Sequence, residues 1–129
     1  MWGLKPSSPG GRSAINIRAE GRSFPDHRCL IPDSEFFLRD RTPSRSLWRV
    51  TRADGDSFYF AGIWRPAEED WPEAFAMLAT ATNSDLEAIH DRQIAVIPRD
   101  ERMAWLDGLA EADLLRPLSA GTFKRERVR

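Results

Sequence analysis

Few side chains in this sequence could act as a nucleophile or bind a metal. Cys29 is its one cysteine, and His27 and His90 are its two histidines. A single cysteine cannot form an internal disulfide, and Cys29 has no further cysteine or histidine at ligand spacing. It lies in the apolar run that ends at Ile31, where a buried thiol behaves as a small hydrophobic side chain. We therefore expect no metal, no cofactor and no redox chemistry.

A polar stripe precedes Cys29. Ile15, Ile17 and Ala19 alternate with Asn16, Arg18 and Glu20, which is the period of a strand with one solvated face. Asn16 and Arg18 should therefore project on the same side. Asparagine is unfavourable inside strands unless something local holds it, so Asn16 is either a surface strand residue or a functional one.

A basic segment follows, in which arginines surround an aromatic residue. Trp48 lies among five arginines and the segment holds one acidic residue, Asp40. The arginines are Arg39, Arg41, Arg45, Arg49 and Arg52. Such a segment can bind a phosphate backbone, and it can equally be a solvated strand edge on which charge prevents aggregation. The sequence leaves both readings open.

The overall charge pattern is uneven. Residues 1–65 carry 11 Lys and Arg against 7 Asp and Glu, whereas residues 66–129 carry 8 against 13. Of the 19 basic residues only Lys5 and Lys124 are lysines, and the planar guanidinium of arginine suits phosphate. A GC-rich genome also produces arginine-rich proteins, so this composition alone does not predict nucleic-acid binding.

Alternation and turn signals predict many strands and few helices. The predicted strands are 14–20, 28–31, 35–38, 46–52, 57–64, 74–80 and 94–97. Helices are predicted over Ser84–His90, where Ser84 and Glu87 have capping-box spacing, over Asp100–Leu109, and as a further turn at Ala112–Leu115. This order predicts an α+β fold: a curved, mostly antiparallel β-sheet or open barrel with a few short helices.

Length and composition limit the class of protein. A chain of 129 residues is about one domain, so we treat residues 1–129 as a single domain. It contains no run of 18 apolar residues and no signal-peptide pattern. We expect a cytoplasmic monomer.

Several short motifs occur in a characteristic order. They are Trp2-Gly3-Leu4-Lys5-Pro6, Asn16-Ile17-Arg18-Ala19-Glu20, Arg28-Cys29-Leu30-Ile31-Pro32, Phe60-Ala61-Gly62-Ile63-Trp64, Thr80-Ala81-Thr82-Asn83 and Ile89-His90-Asp91-Arg92. Together they resemble the SOS response-associated peptidase family, whose members process abasic sites in DNA. The resemblance covers residues 2 to about 118.

The resemblance implies a covalent mechanism. In the family, a cysteine exposed by removal of the initiator methionine attacks the open-ring aldehyde of an abasic site and forms a thiazolidine crosslink. An asparagine holds the reacting residue, a glutamate shuttles protons and a histidine assists opening of the sugar ring. The asparagine corresponds to Asn16 and the histidine to His90, whereas Leu38 occupies the place of the glutamate.

Two of these four groups are therefore expected to be missing. The motifs begin where the middle of a typical member begins, so we expect the chain to lack the N-terminal segment that carries the terminal cysteine. Cys29 is internal and has no free α-amine. We expect crosslinking and self-processing peptidase activity to be impaired, and the sequence leaves open whether the chain is an enzyme.

The resemblance also implies DNA contacts. Arg18 and Arg92 match positions that contact or flank the DNA strand, and Trp2 matches an aromatic that stacks against bases. Arg39 and Arg41, from the basic segment, are added as candidate DNA contacts. The expected partner is single-stranded DNA that carries an abasic lesion, in the DNA damage (SOS) response. The alternatives are a non-covalent DNA-binding module and a catalytically inactive remnant of the fold.

Overall fold

The computed structural model describes residues 2–5, 16–20, 23–109 and 111–128, without the side chains of residues 112 and 113. These residues form eight strands: β1 (Asn16–Arg18), β2 (Arg28–Asp33), β3 (Phe36–Arg39), β4 (Leu47–Arg52), β5 (Phe58–Arg65), β6 (Ala74–Ala81), β7 (Arg92–Ile94) and β8 (Phe123–Arg127). The helices are α1 (Arg102–Leu106), preceded by a 3₁₀ turn at Arg99–Glu101, and α2 (Glu111–Leu114). The predicted α+β class is confirmed. The strands form two sheets that do not close into a barrel.

The first sheet has the order β1-β6-β5-β2, and β7 also pairs with β6. β1 runs parallel to β6, whereas the β6–β5, β5–β2 and β6–β7 pairs are antiparallel. β6 is therefore the strand against which β1, β5 and β7 are all aligned. The first two residues of the strand predicted over 14–20 lie outside the described residues.

The second sheet has the order β3-β4-β8 and is antiparallel throughout. β8 was not predicted, because its charged residues from Lys124 onward are typical of a frayed chain end. Phe123 is buried and Lys124–Arg127 pair with β4. The pairing with β4 continues as far as Val128, whose N–H donates to Leu47 O at 2.8 Å.

The alternation along β6 separates two hydrophobic cores. Ala74, Ala76 and Leu78 are buried in a first core with Ile63 and Trp105. Met77, on the opposite face of β6, packs against a second core. That second core lies between the two sheets and contains Phe36, Val50, Phe58, Phe60, Leu86, Ile89, Val96 and Phe123. One face of the first sheet thus meets the helices, and the other meets the second sheet.

The prediction of a helix over Ser84–His90 is wrong. This segment forms consecutive turns, in which Leu86 N–H donates to Asn83 O at 3.2 Å and Ile89 N–H donates to Leu86 O at 2.9 Å. The side chain of Asn83 accepts the N–H of Asp85 at 3.1 Å and so offers the backbone an alternative to helix. Leu86 and Ile89 are nevertheless buried. A segment of seven residues is stabilised mainly by tertiary packing, which these turns provide without a regular helix.

The helix predicted over Asp100–Leu109 is shorter than expected. The 3₁₀ turn replaces its first residues, and Gly108 at φ +88° lies just beyond its end. Glycine accepts this left-handed conformation without the penalty of a Cβ atom. Within the described part of the chain, no helix is both long and apolar enough to cross a membrane.

A buried arginine attaches β2 to the helices. Arg28 donates to Phe24 O at 2.7 Å, to Trp105 O at 3.1 Å and to Leu109 O at 2.7 Å, and it forms a salt bridge with Glu111 at 2.9 Å. Its guanidinium lies 4.2 Å from the centre of the Trp105 ring. This network orients the strand that carries Cys29.

Candidate nucleic-acid interface

Three of the residues singled out in the sequence lie in one row along the edge of β6. Trp2 lies opposite Phe75, Asn16 opposite Met77 and Arg18 opposite Ala79. Phe75, Met77 and Ala79 alternate along β6 and share one face, and paired residues share that face too. Trp2, Asn16 and Arg18 therefore project together, spaced by roughly 7 Å along the strand. We call this row the β6 edge row.

The residues of the β6 edge row are accessible. Trp2 is 44% exposed and packs against Phe75, with ring centroids 4.1 Å apart. Asn16 and Arg18 are also exposed. An indole, an amide and a guanidinium in succession combine stacking, hydrogen bonding and charge on one surface.

Arg92 lies on the opposite edge of β6, where it pairs with Ala81. Its side chain crosses the strand, donating to Ala79 O and to Glu20 Oε1, both at 2.8 Å. The hydrogen bonding of the Arg92 guanidinium to Glu20 lowers the pKa of Glu20 from 4.5 to about 2. Arg92 is therefore engaged within the protein, and its contact with DNA stays a prediction.

Two hydrogen bonds hold His90, one at its imidazole ring and one at its backbone carbonyl. The Arg92 N–H donates to His90 Nδ1 at 3.0 Å, and His90 O accepts the Thr82 hydroxyl at 2.9 Å. An accepting Nδ1 places the proton of the neutral ring on Nε2. The partly exposed imidazole can then donate a hydrogen bond to a ligand.

Asn16 and His90 are not neighbours along the sheet. Asn16 lies opposite Met77, whereas the His90 backbone contacts Thr82, five positions further along the chain. Their backbones are therefore separated by roughly 16 Å along β6. The ion pair between Arg92 and Glu20 lies between them.

Arg41 approaches His90 from the second sheet. It belongs to the loop between β3 and β4, and its Nη2 lies 2.7 Å from Asp91 Oδ1. Asp91 Oδ1 is also 3.3 Å from His90 Nδ1. Arg39 is exposed and donates to Arg45 O at 2.9 Å. The tertiary structure thus brings Arg41 to His90, and it leaves Arg39 at the periphery.

Leu38, at the position expected to hold a glutamate, is an apolar residue with apolar neighbours. Leu38 pairs with Trp48 and packs against the second core, together with Ile31, Met77 and Ile94. Glu35 lies instead 3.8 Å from Arg49. Glu35 therefore does not bring a carboxylate to the place of Leu38.

Cys29 shares a face with Asn16 but lies far from it. Cys29 pairs with Gly62, Gly62 with Met77, and Met77 with Asn16. Three strand spacings separate the two ends of this row by about 14 Å. A Cβ on Gly62 would lie 2.9 Å from Cys29 Sγ, so the thiol is closely packed, and burial raises its pKa.

The basic segment 39–52 does not form one patch. Arg49 forms a salt bridge with Glu126 at 2.7 Å, and Arg52 one with Asp54 at 2.7 Å. Arg41 lies nearer the site through its ion pair with Asp91, and Trp48 shares a face with Leu38. In the described part of the chain, no three or more His, Cys, Asp or Glu residues are clustered so that they could hold a metal ion.

Sequence reasoning missed three contributors to this surface. Phe75 supports Trp2, Glu20 holds Arg92 and Asp91 holds Arg41. Glu20 and Asp91 belong to the same short motifs as Asn16 and His90, and Phe75 follows from the alternation of β6. Their pairings depend on long-range register, which the local sequence does not reveal.

Solved structures share this fold. A protein from Bacteroides thetaiotaomicron superimposes with a TM-score of 0.76 at 26% identity, covering 88% of this chain and 58% of that one. A protein from Bordetella bronchiseptica gives a TM-score of 0.80 at 24% identity, covering 99% of this chain and 75% of that one. The latter similarity concerns the fold alone.

The family follows from the sequence comparison. The family model described as SOS response associated peptidase (SRAP) matches residues 1–129, and the chain belongs to this family. The abasic site processing proteins YoaM and YoqW of Bacillus subtilis are each 27% identical over 123 residues, covering 82% of this chain. The alignments cover 54% and 55% of those proteins, so the chain spans about half the length of these curated relatives.

Proposed function

We propose that this chain binds abasic lesions in single-stranded DNA and holds them without a covalent bond. Membership of the SRAP family and similarity to proteins named for abasic site processing support a DNA substrate. The surface around β6 supports the single-stranded form, because bases must be unpaired to stack on an exposed aromatic side chain.

The observation that carries the proposal is the β6 edge row. Trp2 offers a ring for base stacking, Arg18 offers paired donors for a phosphate, and Asn16 lies between them. An abasic site has no base to fill the space between its neighbours. A small polar side chain between an aromatic and a cation fits such a gap.

His90 and Arg41 form the opposite side of the proposed site. The Nε2–H tautomer of His90 can donate to a sugar or phosphate oxygen. Arg41 adds an exposed cation close to it. Arg92 acts mainly through Glu20, by fixing the end of β1 against β7.

The described residues support a non-covalent mode of binding. Leu38 cannot transfer a proton, and Cys29 is internal, so its thiol has no α-amine with which to close a thiazolidine ring. Burial also raises the pKa of the Cys29 thiol and so disfavours the nucleophilic thiolate. These residues support recognition of a lesion and supply neither half of the covalent step.

The proposal is tested by incubating the purified chain with labelled single-stranded DNA that contains one abasic site, and with intact DNA of the same sequence. We expect a shifted band for the lesion DNA on a native gel and no shifted band after denaturation. A band that survives denaturation would refute the non-covalent mechanism. No native shift at low salt would refute DNA binding and would leave a remnant fold.

A further inference from the structure

A second row of paired residues leads away from the site across the second sheet. Leu38 pairs with Trp48 in β4, and Trp48 pairs with Arg127 in β8. Directly paired residues share a face, so all three lie on the face that meets the second core. Two strand spacings place the Arg127 backbone about 10 Å from that of Leu38.

Arg125 lies beside this row. It pairs with Val50, which is buried in the second core, so Arg125 also belongs to the inner face of the sheet. Its guanidinium carbon is 5.3 Å from the centre of the Trp48 ring. Arg125 and Arg127 are nevertheless exposed, because β8 is the edge strand and extends past the core. We call Trp48, Arg125 and Arg127 the β8 shelf.

The β8 shelf is continuous with the candidate site. Trp48 Nε1 donates to Asp40 Oδ2 at 3.4 Å, and Asp40 directly precedes Arg41, which contacts Asp91 beside His90. Arg127 is also close enough to Asp40 to contribute to lowering its pKa, after the larger effect of the Thr42 N–H. A ligand that leaves His90 past Arg41 therefore meets the β8 shelf next.

The chemistry of the β8 shelf is that of a single-strand binding surface. A half-buried indole gives a base a ring to stack on, and two guanidinium groups on the same strand can each hold a phosphate. Lys124 and Glu126 alternate with Arg125 and Arg127 along β8, so their side chains lie on the other face of the sheet. Glu126 pairs there with Arg49, and Lys124 pairs with Thr51.

We propose that the β8 shelf is a second DNA-contact surface, which binds the stretch of single strand on one side of the lesion. This inference rests on the proposed function, because the strand must first be held at β6. Trp48 stacks with a base of that stretch, and Arg125 and Arg127 bind its phosphates. The lesion contacts β6, and the flanking strand contacts β8.

The chain provides a matched control for this proposal. Lys124 is an exposed cation on the same strand, but it lies on the opposite face. Lys124→Gln and Arg125→Gln each remove one positive charge from β8. A general effect of net charge would weaken binding equally in both variants. A specific contact of Arg125 with DNA would weaken binding more in Arg125→Gln than in Lys124→Gln.

The experiment uses three lesion oligonucleotides of about 5 to 16 nucleotides, within the site size of single-strand binding domains. One has the lesion in the middle, and the other two have it at the 5′ or the 3′ end. Affinity is measured for the unsubstituted chain and for Arg125→Gln, Arg127→Gln and Lys124→Gln, after circular dichroism has shown that each is folded.

We expect Arg125→Gln and Arg127→Gln each to weaken binding by about 3- to 10-fold, and to lower the slope of log affinity against log salt by about 0.7. The loss should affect the central lesion and only one of the two terminal lesions, while Lys124→Gln changes affinity by less than about 2-fold. Equal effects of all three variants, or equal effects on both terminal lesions, would overturn the proposal. If the unsubstituted chain binds none of the oligonucleotides, the proposed function fails and the β8 shelf fails with it.

Discussion

Arg41 Nη2 lies 2.7 Å from Asp91 Oδ1 and so joins the β3–β4 loop of one sheet to the residue after His90. Both side chains are largely exposed, so this ion pair contributes little to stability. Its main effect is that the Asp91 carboxylate neutralises the positive charge of Arg41 beside His90.

Asp91→Asn should therefore increase affinity for single-stranded DNA. The substitution leaves Arg41 unneutralised and removes a charge that repels phosphate, and an exposed pair of about 0.2–1 kcal/mol corresponds to an increase of up to about 5-fold. Fluorescence anisotropy at low and physiological salt measures the affinity of each variant for single-stranded DNA. Glu126→Gln is the control, since it releases Arg49 on the outer face of the second sheet. An equal gain in both variants would contradict a local role for Arg41.

Trp2→Ala should weaken DNA binding with little effect on folding. Loss of one stacked base contact costs about 1–3 kcal/mol, or roughly 5- to 150-fold in affinity. Phe37→Ala is a matched control, because Phe37 is 48% exposed, against 44% for Trp2, and lies on β3 away from β6. Titration of labelled lesion DNA compares the two variants, and a loss of similar size for Phe37→Ala would exclude a specific role for Trp2.

Leu38→Glu should destabilise the protein without creating a covalent enzyme. The new carboxyl group would lie against the second core, where burial of a polar group without a partner costs about 1–3 kcal/mol. Leu38→Met keeps the volume and polarity and should cost less than about 1.5 kcal/mol. Urea unfolding measures both values. A denaturation-resistant DNA adduct of Leu38→Glu would show that the missing carboxylate alone had blocked the chemistry.

The ion pair between Glu20 and Arg92 should make stability depend on acid pH. Because the folded pKa of about 2 lies below the ordinary 4.5, the contribution of Glu20 is complete above pH 4.5 and is lost as pH falls towards 2. Glu20 is 51% exposed, so solvent screening limits the contribution to less than about 1 kcal/mol.

The measurement is the urea midpoint of the unsubstituted chain and of Glu20→Gln at a series of pH values. The difference between the two midpoints should shrink across the window from pH 4.5 to about 2. The pKa of Asp54 is also lowered to about 2, by Arg52. Asp54 is present in both the unsubstituted chain and Glu20→Gln, so its contribution cancels in the difference between the midpoints. A difference that does not change with pH would exclude ionised Glu20 as its source.

Arg28→Met should be the most destabilising of these substitutions. The Arg28 side chain is 2% exposed and satisfies three backbone carbonyls as well as Glu111. Removal of one partner of a buried ion pair costs about 3–5 kcal/mol, because the other charge is left unpaired. Arg116→Met is the control: Arg116 is 47% exposed and pairs with Glu101 at 2.8 Å, so it should cost less than about 1 kcal/mol. Equal losses in urea unfolding would contradict a central role for Arg28.

Several of these relationships could be predicted from sequence, and others could not. The alternation of Ile17 and Ala19 with Asn16 and Arg18 predicted a shared face, and the structure has Asn16 and Arg18 exposed on the same side of β1. The order of the short motifs predicted the family. By contrast, neither the charged strand β8 nor the turns at Ser84–His90 could be recognised from local pattern.

The physical reason is the range of the interactions. The direction in which neighbouring side chains project depends on the backbone of a few residues, so the sequence by itself determined most strands, their two faces and the polar stripe of β1. The partner of each strand and the register depend on contacts between distant residues. Only the tertiary structure therefore decided that Trp2, Asn16 and Arg18 follow one another along β6, that Arg41 meets Asp91, and that Arg125 and Arg127 of β8 lie beside Trp48.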